Sequence, residues 1–213
     1  MKFLITAGPT REPIDPVRFL SNRSSGKMGY AIAEAAHADG HEVVLVSGPV
    51  CLAAPEGVRV IRVTTADEMF DAVHANLDGI DIAVLVAAVS DFKPATCAPH
   101  KIKKHEGTPQ IALVRTRDIL ASLGAMKERK FFLAGFAAET EHVAAYAQKK
   151  LHEKRCDAII ANDVSAPGLG FDSAENEVTI FYPDSPSIVL PRSDKHDIAR
   201  VLVNILQERR ENR

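Results

Sequence analysis

The chain has 213 residues, 46% of them hydrophobic and 25% charged, with a net charge of −2. That length carries one substantial core with little room for a second full domain, and the residue balance is that of a soluble globular protein. Nothing here makes a basic field for nucleic acid or an anionic membrane, and no apolar run reaches the ~18 residues of a membrane span.

The start, Met1-Lys2-Phe3, runs directly into a core-like strand, so no cleaved targeting segment is predicted. Phe3–Ala7 is the first short apolar run, suited to burial on both faces of a parallel sheet. A polar loop follows at Ser21-Asn22-Arg23-Ser24-Ser25-Gly26-Lys27-Met28-Gly29. Next comes a helix in which Met28, Ile32, Ala35 and Ala36 share one face and Gly40 marks the end. Further strands are predicted at Glu42–Val46, Val58–Val63, Ile80–Val89, Phe131–Ala137 and Asp157–Ala161. Thr65 with Glu68 has the spacing of a capping box and opens a helix to Leu77. The other helices are Val143–Lys154 and Asp197–Glu208, the latter with Ile198, Leu202 and Ile205 on one face.

Two regions break the alternation. Phe92–Val114 carries Pro94, Pro99, Gly107, Pro109 and a basic cluster, and reads as a long functional excursion or an arm. Val178–Tyr182 and Ile188–Leu190 flank Pro183-Asp184-Ser185-Pro186 and predict an antiparallel hairpin. The expected fold is a single α/β domain over residues 1–213: a Rossmann-like, mostly parallel sheet flanked by helices, with an added antiparallel hairpin and a long basic excursion. Ligands in such sheets sit at the carboxyl ends of the strands. Cys51, Cys97 and Cys156 are odd in number and lack metal-ligand spacing, which predicts a reducing cytoplasm.

The loop at 21–29 opens a helix after the first strand, so it presents backbone N–H groups and the positive end of a helix dipole to an oxyanion. It is not a P-loop, since Ser21 stands where the first glycine belongs, and no G-x-G-x-x-G is present. The first loop offers Thr10, Arg11, Asp15, Arg18, Asn22, Arg23, Ser24, Ser25 and Lys27, and its four cations either cradle an anion or belong to an exposed loop with surface salt bridges. Arg18 suits a bidentate hold on a carboxylate or phosphate, Lys27 acts as a point charge, and Asn22 offers both donor and acceptor.

Lys101-Ile102-Lys103-Lys104 is either a solvated charge run or an extended segment with Lys101 and Lys103 on one side, facing a triphosphate. One ammonium ~4 Å from a phosphate is worth about 4 kcal/mol at an effective dielectric of ~20. Asp91, after Ala87-Ala88-Val89-Ser90, can accept from ribose hydroxyls, hold Mg²⁺ or serve as a turn residue. Phe136 can stack on a base or belong to the core. Nothing places a partner for His100 or His105, and no nucleophile elbow or Ser-His-Asp order is visible.

Together these segments resemble phosphopantothenate–cysteine ligase, also called phosphopantothenoylcysteine synthetase, of coenzyme A biosynthesis. The resemblance rests on Thr6–Arg18, Ser21–Gly29, Ala87–Asp91, Lys101–Lys104, Gly135–Thr140 and Ala161–Val164, in order over nearly the whole chain. It implies a two-step ligation. The carboxylate of 4′-phosphopantothenate attacks the α-phosphate of a nucleoside triphosphate, and the amine of L-cysteine then displaces the nucleotide from the acyl-nucleotidylate.

By the family pattern Lys101 supports activation, and Asn22 holds the intermediate with Arg18 nearby. Ala87, Asp91, Asp118, Ile119, Phe136, Lys150 and Lys154 match nucleotide-binding positions, with Ser24, Ser25, Gly26 and Lys27 as the phosphate or substrate loop. The motifs are closest to the bacterial, CTP-dependent type. The same resemblance implies Mg²⁺ with Asp91 as its candidate ligand, a homodimer, and the excursion 92–114 as a dimerisation and nucleotide-covering arm. In many bacteria such a domain is the carboxyl half of a bifunctional protein with a flavin-dependent decarboxylase. The chain is thus either a separate ligase or a piece of such a protein, and no flavin is expected in it.

Where many relatives carry Asn-Pro-Asp-Ile, this chain has Thr116-Arg117-Asp118-Ile119. Arg117 either adds a phosphate contact or faces solvent. Two competing functions stay open at this point. One is an NAD(P)-dependent reductase, weakly suggested by Tyr146 four residues before Lys150, and the other is a non-catalytic nucleotide-binding subunit.

Overall fold

A computed structural model describes residues 1–103, 110–139, 142–163 and 173–213, without the side chains of 139 and 163. Among them, β1 (Lys2–Ala7), β4 (Glu42–Ser47), β5 (Arg59–Arg62), β6 (Ile82–Leu85), β9 (Phe132–Glu139), β10 (Ala158–Asp163), β11 (Glu175–Phe181) and β12 (Ile188–Asp194) form one sheet. Its order is β12-β11-β10-β9-β6-β1-β4-β5. The strands from β10 to β5 pair in parallel, while β11 runs antiparallel to both β10 and β12. The chain therefore builds outward from β1 through β4 and β5, then returns to the other side of β1 and builds outward again. That reversal places a topological switch point between β1 and β6.

Alternation along β1 explains the layers. Phe3, Ile5 and Ala7 point to a core shared with α1 (Lys27–Ala38) and α5 (Lys195–Glu211), while Leu4 points to a second core. That second core is closed by α2 (Ala66–His74), α3 (Ile119–Gly124) and α4 (Val143–Glu153) through Met69, Val73, Leu123 and Leu151. Strands buried on both faces need the near-continuous apolar runs that the sequence has. The predicted apolar face of α1 is buried, and Gly40, at φ 82°, follows its end. The Thr65–Glu68 capping box forms in both directions.

Several details differ from expectation. A small hairpin of β2 (Arg11–Pro13) and β3 (Phe19–Ser21) stands between β1 and the polar loop. The predicted strand Ile80–Val89 is regular only over Ile82–Leu85. Beyond Leu85 the Thr6 hydroxyl accepts from the Val86 and Ala87 N–H groups at 3.1 Å each and draws the chain off the ladder.

The excursion is pinned at its base by β7 (Phe92–Pro94) pairing with β8 (Leu113–Arg115). Lys101, Ile102 and Lys103 are exposed but not a strand, because a buried carboxylate captures this backbone. The Ile102 N–H donates to Asp15 Oδ2 at 3.1 Å, and its carbonyl accepts from Arg18 Nη2 at 3.0 Å. Lys104 and His105, with Thr140 and Val164 of the motifs, lie outside the described residues.

Candidate functional site

The two chain segments leaving β1 and β6 are stitched together across the switch point. The Ala88 N–H donates to Gly8 O at 2.9 Å, the Thr10 N–H to Ala88 O at 3.3 Å, and the Ser90 N–H to the Thr10 hydroxyl at 3.0 Å. Asn22 joins the same seam, its amide Nδ2 donating to Ala88 O at 2.9 Å. A two-lobed cleft opens above this seam.

The inner lobe, about 300 Å³, is lined by Gly8, Asn22, residues 24–29, Ala88, Asn162, Asn176 and Lys195, among others. Gly26 begins α1 with φ 80°, and a Cβ there would sit 2.7 Å from Val50 Cγ1. At Gly29 a Cβ would meet Ala7 Cβ at 2.6 Å and Thr6 O at 3.0 Å. The two glycines let α1 lie directly on β1, so that its N-terminus and dipole address the lobe.

The outer lobe, about 480 Å³, is lined by residues 115–120 and Lys154. Ala87, Val89, Asp91, Phe136 and Lys150 line both lobes. Lys150 and Lys154 lie one turn apart near the end of α4 and face the cleft. Lys150 Nζ donates to Phe136 O at 3.3 Å, and Lys154 Nζ donates to Asp118 Oδ2 at 2.6 Å. Asp118 is the N-cap of α3, its Oδ1 accepting from the Ala121 N–H at 2.8 Å. Burial alone would raise the Asp118 carboxyl. The Lys154 ammonium and the Ala121 N–H outweigh that effect and hold it below its ordinary value.

The cleft thus gathers Asn22, Ser24, Ser25, Gly26, Lys27, Ala87, Asp91, Asp118, Ile119, Phe136, Lys150 and Lys154. Arg18 and Lys101 are not among its lining residues. The bidentate hold read into Arg18 falls on Asp15, which accepts from Nε at 3.0 Å and from Nη2 at 2.5 Å. Tyr146 is exposed against His142 and absent from the lining, so no Tyr–Lys pair meets in the cleft. No group of three or more His, Cys, Asp or Glu able to hold a metal occurs among the described residues. Among the described residues, Asp91 is the carboxylate common to both lobes.

Asn176 and Lys195 are lining residues that the sequence reading did not find. Both are buried, at 4% and 6% exposure. Asn176 shares the inward face of β11 with Val178 and Ile180, and a polar residue in that apolar alternation is a signal for a wall position. Lys195 opens a helix against the sense of its dipole, and its Nζ donates to Ser173 O at 2.6 Å.

A doubly wound sheet with a cleft at its switch point, framed by a helix N-terminus and facing lysines, defines a Rossmann-type α/β protein. The sequence matches the family described as "DNA/pantothenate metabolism flavoprotein C-terminal domain" over residues 1–209, and the chain belongs to that family. It is 48% identical over 206 residues to the coenzyme A biosynthesis bifunctional protein CoaBC of Vibrio vulnificus strain YJ016 and 50% identical over 206 to that of Bacillus subtilis strain 168.

Each alignment covers 96% of this chain but 51% and 50% of the relative, so the chain spans about half the length of the curated relatives it matches. The fold is similar to the crystal structure of the C-terminal domain of CoaBC, with a TM-score of 0.85 at 43% identity, covering 100% of this chain and 96% of that one. These matches bear out the resemblance to the phosphopantothenate–cysteine ligases. No described helix is long and apolar enough to cross a membrane.

Proposed function

We propose that this chain ligates 4′-phosphopantothenate to L-cysteine in coenzyme A biosynthesis, using CTP and releasing pyrophosphate and CMP. The observation that carries this reading is the meeting in one two-lobed cleft of the 24–27 loop and Asn22 with Asp91, Asp118, Phe136, Lys150 and Lys154. The outer lobe takes the nucleotide and the inner lobe the pantothenate arm.

In the first step a carboxylate oxygen of 4′-phosphopantothenate attacks the α-phosphorus. The bond to the bridging oxygen breaks and pyrophosphate leaves with that electron pair. The positive end of α1, with Lys27, Lys150 and Lys154 around the cleft, opposes the charge gathered there. In the second step the free amine of cysteine attacks the acyl carbon. The bond to the phosphate oxygen breaks, CMP leaves, and the nitrogen gives up a proton to become an amide. Asn22, fixed by Ala88 O, orients the acyl-cytidylate without adding charge.

Asp91 is the residue that would hold Mg²⁺, since one carboxylate beside phosphate oxygens and water is that ion's preferred setting. Bound there, the ion would neutralise the triphosphate.

The excursion 92–114 serves as a dimerisation and nucleotide-covering arm. Phe19, Phe92, Leu113 and Val114 are each close to half exposed on the two small hairpins, an apolar surface that a second copy would cover. Lys101, beside the anchored Ile102 on that arm, supplies its charge to the triphosphate. A flavin-dependent phosphopantothenoylcysteine decarboxylase, on the same longer chain or separate, consumes the product in the cytoplasm.

Pyrophosphate release by the purified chain with Mg²⁺ and 4′-phosphopantothenate tests the reading. Release is expected with CTP in preference to ATP, with continuous turnover requiring cysteine. Preference for ATP would overturn the nucleotide assignment alone. Absence of release with either nucleotide would overturn the reaction.

A further inference from the structure

Arg117 stands where the sequence departs from the family pattern; it is partly exposed at the wall of the outer lobe, and its guanidinium is turned onto α2. Each of its three guanidinium nitrogens holds an oxygen of α2. Nε reaches Asp67 Oδ1 at 3.1 Å, Nη2 donates to Asp67 O at 2.9 Å, and Nη1 lies 2.7 Å from Asp71 Oδ1. The guanidinium carbon lies 4.1 Å above the Phe70 ring. Asp67, Phe70 and Asp71 occur at i, i+3 and i+4 on α2, so one helix face forms a fitted seat for a planar cation.

That seat is rigid. The α2 N-terminus is closed by its capping box, and the Ala66 N–H also donates to the buried Glu12 carboxylate at 2.8 Å. Asp67 additionally pairs with Lys93 of β7. The ionised partners are stabilised. Asp71 is held below the usual carboxylate range first by Arg117, and Asp67 first by Lys93 and then by Arg117.

Arg117 lies between two residues fixed elsewhere. The Thr116 hydroxyl donates to Ser90 O at 2.6 Å and its N–H to Asp91 O at 3.0 Å. On the other side Asp118 caps α3 and binds Lys154. The turn thus holds Asp91, α2 and Lys154 at set distances around the outer lobe. We propose that Arg117 is a positioning residue, which seats the 116–118 turn on α2 and through Asp118 sets Lys154 for the nucleotide. This rests on the reading of the outer lobe as the nucleotide site.

The test compares Arg117→Met, Asp71→Asn and the double variant by CTP titration calorimetry, with kcat and the KM for 4′-phosphopantothenate measured beside it. Arg117→Met is expected to weaken CTP binding by about tenfold, as small misplacements of contact residues do, while the KM for 4′-phosphopantothenate stays put. Asp71→Asn should weaken CTP in the same direction, and the double variant should be no worse than Arg117→Met, the mark of one shared interaction.

If Asp71→Asn left CTP affinity unchanged or raised it while Arg117→Met lowered it, Arg117 would be a direct phosphate ligand and the positioning role would be wrong. A lower Tm in Arg117→Met with unchanged CTP affinity would make it merely structural. Amide exchange at Ala121, which needs no nucleotide, separates this inference from the reading beneath it. Faster exchange in both single variants supports the positioning role even if the unaltered chain bound no CTP, a result that would sink only the nucleotide reading. Unchanged exchange in both would overturn the positioning role.

Discussion

Asn22 and Lys101 carry opposite kinds of chemistry, and the account assigns them to different half-reactions. Asn22 is neutral and is fixed at the cleft wall by Ala88 O. Asn22→Ala should therefore leave acyl-cytidylate formation running while amide formation slows. Lys101 contributes charge, and Lys101→Gln should slow activation by ~10²–10³, as loss of one transition-state contact does. Rapid-quench measurement of the two half-reactions checks both. Intact amide formation in Asn22→Ala, or unchanged activation in Lys101→Gln, would remove that residue from its role.

At this scale the sequence is legible where chemistry is local. The loop at 24–27 and Asp91 sit at the ends of predictable strands or the start of a predictable helix, which is enough to bring them to a cleft. The partners of Arg18 and Arg117 are not legible, because an arginine's reach selects among several carboxylates that only tertiary packing brings near. Asn176 comes from the antiparallel extension and Lys195 from the start of the helix that follows it, a region that reads in the sequence as an addition to the sheet and not as a wall of the site.

Elements divide along the same line. Long apolar runs and capping signals located β1, β4, β5, β9 and β10 and the four longer helices to within a few residues. The three-residue strands β2, β3, β7 and β8, and the short helix α3, hold too few residues to show a period. They depend instead on side-chain anchors, of which Asp15 is the chief.

Asp15 is buried between the turn at 14–18 and Ile102 and accepts from Arg18, from the Val17 and Arg18 N–H groups at 2.9 Å each, and from the Ile102 N–H. Hydrogen bonds led by that of the Arg18 guanidinium outweigh burial and hold its carboxyl well below the ordinary value. A depressed carboxyl stabilises the fold fully above its unfolded pKa of ~3.9 and loses that effect as pH falls toward the folded value. Asp15→Asn should therefore be less stable than the unaltered chain between pH 5 and 7, by a constant margin that narrows only below ~pH 4. Urea unfolding across pH tests this. A margin unchanged from pH 5 to pH 2 would show that the Asp15 ion pair does not tie the arm down.

For the whole molecule, topology makes the site. Growth of the sheet in two directions from β1 puts a switch point between β1 and β6, and the cleft opens above the seam that joins the segments leaving them. Parallel pairing and helices on both faces follow from the run of apolar segments, so the architecture was legible from sequence. The division of the cleft into two lobes was not, because the shared wall of Ala87, Val89, Asp91, Phe136 and Lys150 combines the β6, β9 and α4 regions.

That two-lobed cleft is the basis for assigning a nucleotide and an acyl substrate to neighbouring chambers, and the intermediate that links them is the central claim. The most direct measurement is mass spectrometry of the protein quenched after mixing with CTP, Mg²⁺ and 4′-phosphopantothenate, without cysteine. The account predicts a bound 4′-phosphopantothenoyl-cytidylate that disappears into the cysteine amide when cysteine is added. Amide formed with no such intermediate, or an intermediate that cysteine does not consume, would contradict it.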